Sequence, residues 1–288
     1  MKHVLVAGAT GMLGREVVKQ LAARGHKVRA LTRDPERAKL LGDVERHVGD
    51  ALKPDTLKAA FEGIDTVFSS VGAPVSIDLK GWRGYRGVDI PANTNLIAAA
   101  KQAGVKRFVY VSAHVIPETI GFAYFAAHEE VARRVLDSGM DPRILRPTAF
   151  FSALRPFVEL AKAGKRVPVL GSGSSRSNPI SDIDLAEAAV DAIVNDDAPR
   201  EQSLGGPDVL TRDAIAELAC DAVGQPYRLR HVPAWLARFG SVCLTPINPR
   251  FAQLVRFATE ASVRDLIAPQ TGSRHLGDWF RDAAAGRA

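Results

Sequence analysis

Three glycines, each three residues after the last, follow the first apolar run of the chain. The run is Val-Leu-Val-Ala at residues 4–7, and the glycines are Gly8, Gly11 and Gly14. The apolar residues beyond them recur with helical spacing and predict a helix over residues 13–24. A glycine turn between a strand and a helix is the context that a phosphate-binding turn requires.

Each of the three glycines is required for a different physical reason. Gly8 permits the tight turn, Gly11 lets the backbone approach a pyrophosphate, and Gly14 lets the helix pack close to the strand. The pyrophosphate then lies at the helix N-terminus, where free N–H groups and the helix dipole favour an anion. We therefore predict a dinucleotide site here, contacted by Gly8, Thr10, Gly11, Met12, Leu13 and Gly14.

The first half of the chain alternates short apolar runs with amphipathic segments. The predicted strands are 4–7, 27–32, 44–48, 66–69, 107–111 and 142–145, and the predicted helices are 13–24, 35–41, 54–61, 93–103 and 126–138. Strands separated by helices in this order form a parallel sheet covered on both faces. The fold class is therefore predicted to be α/β, a doubly wound parallel sheet or Rossmann fold.

The pattern becomes less regular beyond Pro147. We predict a dinucleotide-binding domain over residues 1–150 and a smaller, mainly helical substrate region over 151–288, which returns a strand or two to the sheet. The elements predicted there are a helix over 156–163, a strand over 167–170, a Ser/Gly loop over 172–177, a helix opened by a Ser181–Asp184 capping box, a helix capped by Thr211, and two or three helices over 233–284.

Length and composition narrow the class of protein. The chain has 288 residues, of which 46% are hydrophobic and 24% charged. These values exclude a wholly disordered chain, a collagen-like chain and a coiled coil. No uncharged apolar run approaches the ~20 residues of a membrane helix, and the N-terminus lacks signal-peptide features. We therefore expect a cytoplasmic protein without a membrane partner.

The chain is basic, with a formal net charge of +6. Its basic residues are scattered among acidic ones, so we predict a solvated surface and no nucleic-acid partner. A basic balance also suits a phosphorylated cofactor. Cys220 and Cys243 each lie in an apolar run, which favours buried thiols, and no His or Cys pair has the spacing of a zinc site.

Other segments, together with the glycine turn, resemble the extended and atypical short-chain dehydrogenase/reductase superfamily, in its NmrA-like, NAD(P)H-binding branch. The segments are Gly49-Asp50-Ala51, Ser70-Val71-Gly72, the helix over 93–100, Lys106 to Ser112, and Ile144-Leu145-Arg146-Pro147-Thr148. The resemblance covers residues 1 to about 195. It implies that the cofactor site also includes Asp50, Ala51, Ser70, Val71, Gly72, Ser112, Pro147 and Thr148.

The end of the second strand bears on the choice of nucleotide. An NAD site usually places a carboxylate here, whereas this chain places Arg33 first and Arg37 one helical turn later. Guanidinium groups suit a ribose 2′-phosphate, although Arg37 on a solvated helix face is the alternative. Asp34 precedes a proline and can cap the short helix. We predict NADP(H) as the preferred cofactor, with NAD(H) possible.

The catalytic pattern of the superfamily is changed in this chain. The resemblance implies a catalytic Ser, Tyr and Lys, with the Lys four residues after the Tyr. In this chain Tyr124 is present, but His128 occupies the Lys position and His114 occupies the Ser position. Our hypothesis is that Tyr124 donates a proton while His128 orients the ribose and relays protons. His114 is the next candidate donor. Alternatively, Tyr124 packs against a loop and His128 is a partly buried helix residue.

Two classes of function remain open. The first is an NADPH-dependent oxidoreductase that reduces a small carbonyl, quinone or activated alkene by hydride transfer. The alternative is a non-catalytic NADP(H)-binding regulator that reports the redox state of the nucleotide to a partner. Either form would be a monomer or a homodimer. The glycine-rich stretch 81–87, with Trp82 and Tyr85, is either a mobile lid or a surface loop packed on a helix.

Overall fold

Parallel strands form the centre of the molecule. The computed structural model describes residues 1–73 and 84–287. Its strands are β1 (His3–Ala7), β2 (Lys27–Thr32), β3 (Glu45–Val48), β4 (Thr66–Ser69), β5 (Arg107–Val111), β6 (Asp141–Pro147), β7 (Val167–Leu170), β8 (Arg176–Ser177), β9 (Glu201–Leu204), β10 (Leu210–Thr211) and β11 (Leu229–Val232).

The helices alternate with these strands in the first half and dominate the second. The α-helices within the described residues are α1 (Met12–Ala23), α2 (Pro35–Ala38), α3 (Tyr85–Gln102), α4 (Ala123–Leu136), α5 (Arg155–Lys162), α6 (Asp182–Val194), α7 (Arg212–Asp221), α8 (Ala234–Leu244), α9 (Pro249–Ser262) and α10 (Leu276–Ala284). Helix α2 continues into a 3₁₀ turn, Lys39–Leu41.

The main sheet has the order β3-β2-β1-β4-β5-β6-β9, and every neighbouring pair in it is parallel. The strand order reverses between β1 and β4, the point at which ligands bind in sheets of this kind. The predicted α/β, doubly wound parallel sheet is confirmed. Strand β9 returns from the C-terminal region to the edge of this sheet.

Both faces of the sheet are buried, which explains why its strands are almost continuously apolar. Val4 and Val6 of β1 point to the face covered by α1 and α6. Leu5 and Ala7 of the same strand point to the face covered by α3 and α4. The edge strand β3 is the exception, because three of its four residues are exposed.

Two smaller pairs of strands and the remaining helices make up the C-terminal region. Strands β7 and β11 pair in parallel, and β8 pairs antiparallel with β10. Helices α5, α7 and α10 bury a second apolar cluster that includes Phe151 and Phe280. Helices α8 and α9 pack against each other, and Phe257 of α9 reaches the N-terminal end of α4.

The structure corrects three local predictions. The helix predicted over residues 54–61 is a pair of 3₁₀ turns, Pro54–Thr56 and Lys58–Phe61. Ser181 caps α6 by accepting from the Ile183 amide. However, Asp184 does not complete a capping box, because its carboxylate accepts from the Ser273 and Arg274 amides. Cys220 is buried as predicted, whereas Cys243 is exposed on α8.

Helix α3 begins eight residues earlier than the helix predicted over 93–103. Four glycines between residues 72 and 87 predict a loop over that segment. The helix instead runs through Pro91 and buries Tyr85 and Asp89 on its inner face. Burial of this face therefore outweighs the local preference. Residues 81–83 of the predicted lid lie outside the described residues, and residues 85–87 form the start of α3.

Within residues 1–73 and 84–287, no helix has the length and apolarity needed to cross a bilayer.

Candidate cofactor and active site

The glycine turn connects β1 to α1 at the carboxyl edge of the sheet. Gly8 has a φ of +89°, a conformation that side-chain-bearing residues rarely adopt. The Gly11 amide donates to the Gly8 carbonyl at 3.0 Å. A Cβ on Gly14 would lie only 2.1 Å from the Gly8 oxygen, so the helix approaches the turn as closely as glycine permits.

The N-terminus of α1 is suited to an anion. Gly11 caps it without a side-chain hydrogen bond, and its first turn contains no acidic residue. Arg15 donates through Nε to the Thr10 carbonyl at 3.1 Å, and Arg37 donates through Nη2 to the same oxygen at 3.4 Å. Two guanidinium groups therefore lie beside the turn. Free N–H groups and positive charge together fit a pyrophosphate.

Two charged residues follow β2, an exposed arginine and an aspartate whose carboxylate is already hydrogen-bonded to the backbone. Arg33 is exposed. The Asp34 carboxylate accepts from the backbone amides of Glu36 at 2.9 Å and of Arg37 at 3.4 Å, and so caps α2. Its cap role leaves Arg33 and Arg37 as the side chains available to a ribose 2′-substituent.

The segments after β3 and β4 are held by side chains of α3 and of the following turns. Asp50 accepts from the Leu52 amide at 3.0 Å, and the buried Ala51 accepts from Asn95 at 2.9 Å. Ser70 lies against the glycine turn, since a Cβ on Gly8 would meet its Oγ at 2.6 Å. The structure thus brings the β4 segment beside the predicted phosphate site.

Two side chains of α3 fix the loop that follows β4. Asn93 donates to the Val71 carbonyl at 2.9 Å and accepts from Ser69 Oγ at 2.6 Å. Asp89 Oδ2 accepts from the Ala73 amide at 2.8 Å. A Cβ on Gly72 would lie 3.0 Å from Asp89 Oδ1, so this carboxyl and the loop are in close contact.

The predicted residues after β5 and β6 are bonded to one another and to the protein around them. Ser112 donates through Oγ to the His128 carbonyl at 3.3 Å. The His114 amide donates to the Pro147 carbonyl at 2.8 Å, and its Nδ1 lies 3.4 Å from Ser203 Oγ. Burial and the nearby positive charge of Arg146 lower the pKa of His114. Thr148 donates to the Asn178 carbonyl at 2.6 Å.

His128 lies inside the protein on the inner face of α4. Its Nδ1 lies 2.9 Å from the hydroxyl oxygen of Tyr110, and its Nε2 lies 3.7 Å from Asp89 Oδ1. Burial lowers the pKa of His128 to about 4, so the imidazole is neutral at physiological pH. Where the superfamily pattern implies a lysine cation, this chain therefore has a neutral ring between a phenol and a carboxyl group.

Asp89 is the most unusual titratable group at this edge of the sheet. It is fully buried, and burial raises its pKa to about 7. Its Oδ1, which faces His128, accepts no hydrogen bond from any described residue. A buried carboxyl group with an unpaired oxygen is costly when ionised, so Asp89 holds a proton into the neutral range.

Aromatic rings surround Tyr124. Its ring centroid lies 5.1 Å from that of Tyr85, 4.5 Å from that of His128 and 4.3 Å from that of Phe257. Burial, followed by the charge of Asp89, raises the pKa of Tyr124 well above its usual value. The phenol therefore keeps its proton at neutral pH, which is the state required of an acid.

Several residues of this site escaped sequence reasoning. Asp89 fell between the predicted loop over 72–87 and the predicted helix over 93–103, although its i, i+4 spacing with Asn93 on an otherwise apolar face was a usable signal. Tyr110 was assigned only to a strand, and Arg15 directly follows the glycine motif. No local signal could identify Phe257, because it comes from the least regular part of the chain.

The raised pKa of Asp89 predicts a pH-dependent stability. A carboxyl pKa raised from 3.8 to about 7 stabilises the fold when protonated, and that stability is lost as pH rises toward and through 7. Asp89→Asn stays neutral at every pH. Relative to wild type, its free energy of unfolding should therefore increase by about 3 kcal/mol between about pH 5 and pH 8.5. Urea titrations at both pH values measure this difference.

Asp55→Asn is the matched control for this prediction, because Asp55 is an exposed carboxylate on a 3₁₀ turn. Its stability relative to wild type should be the same at both pH values. The His128 titration occurs in the wild type and in both variants, so it cancels in the comparison. An Asp89→Asn effect that does not depend on pH would show that Asp89 is ionised throughout.

Residues 8–196 match the NAD(P)H-binding family over more than half of the chain. The chain belongs to the NAD(P)H-binding family. The matched segment begins at the first glycine of the turn and includes all strands of the main sheet except β1, which ends one residue earlier, and β9. The cofactor prediction at the level of NAD(P)H is confirmed, as is the resemblance that led to it.

Two curated relatives are similar over most of this chain. An NAD(P)H azoreductase from Xenophilus azovorans is 30% identical over 233 residues, which cover 78% of this chain and 75% of the relative. A divinyl chlorophyllide a 8-vinyl-reductase from Arabidopsis thaliana is 29% identical over 82% of this chain. The matched region spans only 61% of the length of that chloroplastic protein. Both relatives are reductases by name.

A solved structure supports the fold assignment. An NADPH-dependent quinone oxidoreductase from Escherichia coli, complexed with NADPH, superimposes with a TM-score of 0.75. The match covers 96% of this chain and 98% of the other, at 19% sequence identity. At this identity the likeness concerns the fold.

Proposed function

We propose that this protein is an NADPH-dependent oxidoreductase that reduces a small carbonyl, quinone or activated alkene. One observation carries the proposal. Three side chains that can carry a proton lie at the same edge of the sheet as the glycine turn: Tyr124, His128 and Asp89. Asp89 also accepts a hydrogen bond from the loop that follows β4, and this loop begins beside the glycine turn. A reductase needs a nucleotide site and a proton source next to each other.

The chain supplies the protons, and bound NADPH supplies the hydride. A carbonyl oxygen that gains negative charge needs a donor within hydrogen-bond reach. Tyr124 is the donor in this proposal, because its phenol stays protonated at neutral pH. Asp89, with a pKa of about 7, is the nearby group that can hold a second proton, and His128 lies between it and Tyr110.

The aromatic surroundings favour a flat, conjugated acceptor over an aliphatic one. The rings of Tyr85, Tyr124 and Phe257 meet at centroid distances of 5.1 and 4.3 Å, and Tyr124 and Phe257 remain partly exposed. Aromatic faces and edges of this kind attract planar π systems. The azo and vinyl groups that the two relatives reduce, by their names, also belong to conjugated systems. We therefore place quinones and conjugated alkenes first.

NADPH consumption by the purified protein tests the proposal. The acceptors are a naphthoquinone, an azo dye, an aromatic aldehyde and an aliphatic aldehyde, each followed by the loss of nicotinamide absorbance. Steady turnover with the conjugated acceptors, and little with the aliphatic aldehyde, is the expected result. Tight NADPH binding without turnover on any acceptor would contradict it.

The alternative function is an NADP(H)-binding regulator without catalysis, and it predicts tight NADPH binding without turnover. A specific observation favours this alternative. No cation stands beside Tyr124 among the described residues of the ring cluster, since the His128 imidazole is neutral and the Asp89 charge raises the Tyr124 pKa further. Without a cation, the phenolate left after proton transfer is poorly stabilised.

We further propose that NADP(H) is preferred over NAD(H). Arg33 is exposed after β2, Arg37 lies at the glycine turn, and the Asp34 carboxylate is engaged by the α2 backbone. A ribose 2′-phosphate would meet two guanidinium groups there, whereas a 2′-hydroxyl would find no free carboxylate among these residues.

Calorimetry should give at least ~10-fold tighter binding of NADPH than of NADH, about 1.4 kcal/mol. Arg33→Ala should remove the difference by weakening NADPH binding alone, because the 2′-phosphate loses its partner. Arg24→Ala is the control, since Arg24 is also an exposed arginine and lies at the opposite end of α1. Equal affinities of wild type for both nucleotides would end this proposal.

The remaining assignments stay proposals. We propose that residues 1–150 bind the dinucleotide and that residues 151–288 shape the substrate pocket, consistent with the position of Phe257 against Tyr124. We also propose a cytoplasmic protein that acts on a small molecule as a monomer or homodimer.

A further inference from the structure

Helix α8 has its small residues inside and its large apolar residues outside. Ala237 and Ser241 are the buried residues of this helix. Trp235, Phe239 and Val242 are 68%, 63% and 67% exposed, and their i, i+4, i+7 spacing places them on one helix face. Leu236 and Cys243 are exposed along one border of this face, and Ile247 is exposed in the turn that follows. We call these six residues the α8 face.

Contiguous exposed apolar side chains mark an interaction site more often than isolated ones do. An amphipathic helix normally buries its apolar side against the protein. Helix α8 packs on α9 through its small residues, so the large ones do not contribute to holding the fold together. The α8 face is therefore available to something outside the chain.

The segment of the chain that contains α8 is basic. Between residues 226 and 259 the sequence contains Arg228, Arg230, Arg238, Arg250 and Arg256, all exposed, and neither Asp nor Glu. Acidic groups from neighbouring elements neutralise part of this charge. Glu260 pairs with Arg238 at 2.8 Å, and Asp213 pairs with His231 at 2.7 Å. The segment that contains the apolar α8 face therefore has more basic than acidic groups.

We propose that the α8 face binds the surface of a membrane that contains anionic phospholipid. Tryptophan and phenylalanine suit the boundary between headgroups and acyl chains, and arginine suits lipid phosphates. A helix that lies on a bilayer needs no spanning length, so the lack of a spanning helix in residues 1–73 and 84–287 is compatible with this binding. The proposal departs from the sequence-based expectation of no membrane partner.

A second copy of this chain is a weaker occupant. Helix α8 has 11 residues, so it is about 16 Å long and about 10 Å wide, a footprint of about 160 Å². A stable dimer buries about 800 Å² per partner. Extending a symmetric contact to that size would bring the basic segments of the two copies together. Charge complementarity thus favours an anionic surface over a like-charged copy.

Co-sedimentation with vesicles tests the proposal with the full chain. We expect the protein to bind vesicles of phosphatidylcholine with about 30% phosphatidylglycerol and to bind pure phosphatidylcholine at least ~10-fold more weakly. Binding should fall at about 0.5 M salt, where the Debye length is a few ångströms. Equal binding to both kinds of vesicle, or none to either, overturns the proposal.

Two sets of variants locate the contact. Phe239→Asp should weaken vesicle binding at least ~10-fold, because it removes a large apolar side chain and adds a negative charge. Leu40→Asp is its control, since Leu40 is exposed to a similar extent, 68% against 63% for Phe239, and lies on the 3₁₀ turn after α2. The double variant Arg228→Gln/Arg230→Gln should weaken binding to anionic vesicles more than ~10-fold, because it removes two exposed positive charges. Arg133→Gln on α4 is its control and should have no effect.

NADPH affinity and far-UV circular dichroism report on folding, and neither should change in any of these variants. If Phe239→Asp leaves vesicle binding intact, the α8 face is not the contact and the proposal fails. If wild type is a dimer by sedimentation velocity, and Phe239→Asp makes it monomeric without affecting vesicles, a second copy is the occupant instead. None of these readouts depends on catalysis, so failure here leaves the proposed function untouched.

Discussion

Replacing Tyr124 by phenylalanine lowers kcat by ~100-fold or more if this phenol is the proton donor, the range usual for loss of a general acid. The change removes one hydroxyl and keeps the ring packing against Tyr85 and Phe257. KM should change little, because the lost interaction forms with the charge that develops on the substrate oxygen. Steady-state kinetics on an acceptor identified in the panel separate the two constants.

Tyr85→Phe is the matched control, because Tyr85 is a neighbouring tyrosine whose ring lies 5.1 Å from that of Tyr124. This variant should retain kcat within about threefold, since it leaves the donor in place. If Tyr124→Phe keeps wild-type kcat, another group supplies the proton. His114 is then the next residue to replace, because it follows β5 at the same edge of the sheet.

A single methyl group at Gly14 should abolish NADPH binding. In Gly14→Ala the new Cβ would lie 2.1 Å from the Gly8 carbonyl oxygen and 2.8 Å from its carbon, which is backbone and cannot rotate away. Helix α1 would have to move off the turn, which separates the helix N-terminus from the phosphate site. We expect destabilisation of about 3 kcal/mol, at the upper end of overpacking effects, together with undetectable binding in calorimetry.

Gly240→Ala provides the contrast, because Gly240 is also a helical glycine, but a Cβ at this position would have open space within 4 Å. Alanine should be neutral or stabilise α8 by up to about 1 kcal/mol, with unchanged NADPH affinity. A Gly14→Ala protein that binds NADPH with wild-type affinity would mean that α1 does not approach the turn this closely.

The main sheet could be predicted from the sequence because its strands are buried on both faces and therefore appear as apolar runs between helices. Strand β2 has the predicted bounds, residues 27–32, and β4 has the predicted bounds, residues 66–69. The start of α3 could not be predicted from local signals. Pro91 and the nearby glycines indicate a loop, and only the burial of Tyr85 and Asp89 against other elements explains the longer helix.

The parts of the site that are formed by residues close together in the sequence could be predicted. The glycine turn and the cap formed by Asp34 are local features, and both follow from spacing and residue type. The setting of His128 depends instead on Tyr110 and Asp89, which come from two other elements. Its neutral state is a consequence of burial, and burial is decided by the assembled fold.

Asp89 connects the binding of the nucleotide with the binding of a proton. One of its oxygens accepts from the Ala73 amide and so holds the loop after β4, while the other faces His128. Any nucleotide contact that shifts this loop will therefore change the affinity of Asp89 for its proton. By thermodynamic reciprocity, the proton then changes the affinity for the nucleotide by the same factor. The protein would couple cofactor exchange to proton uptake from solvent through one side chain.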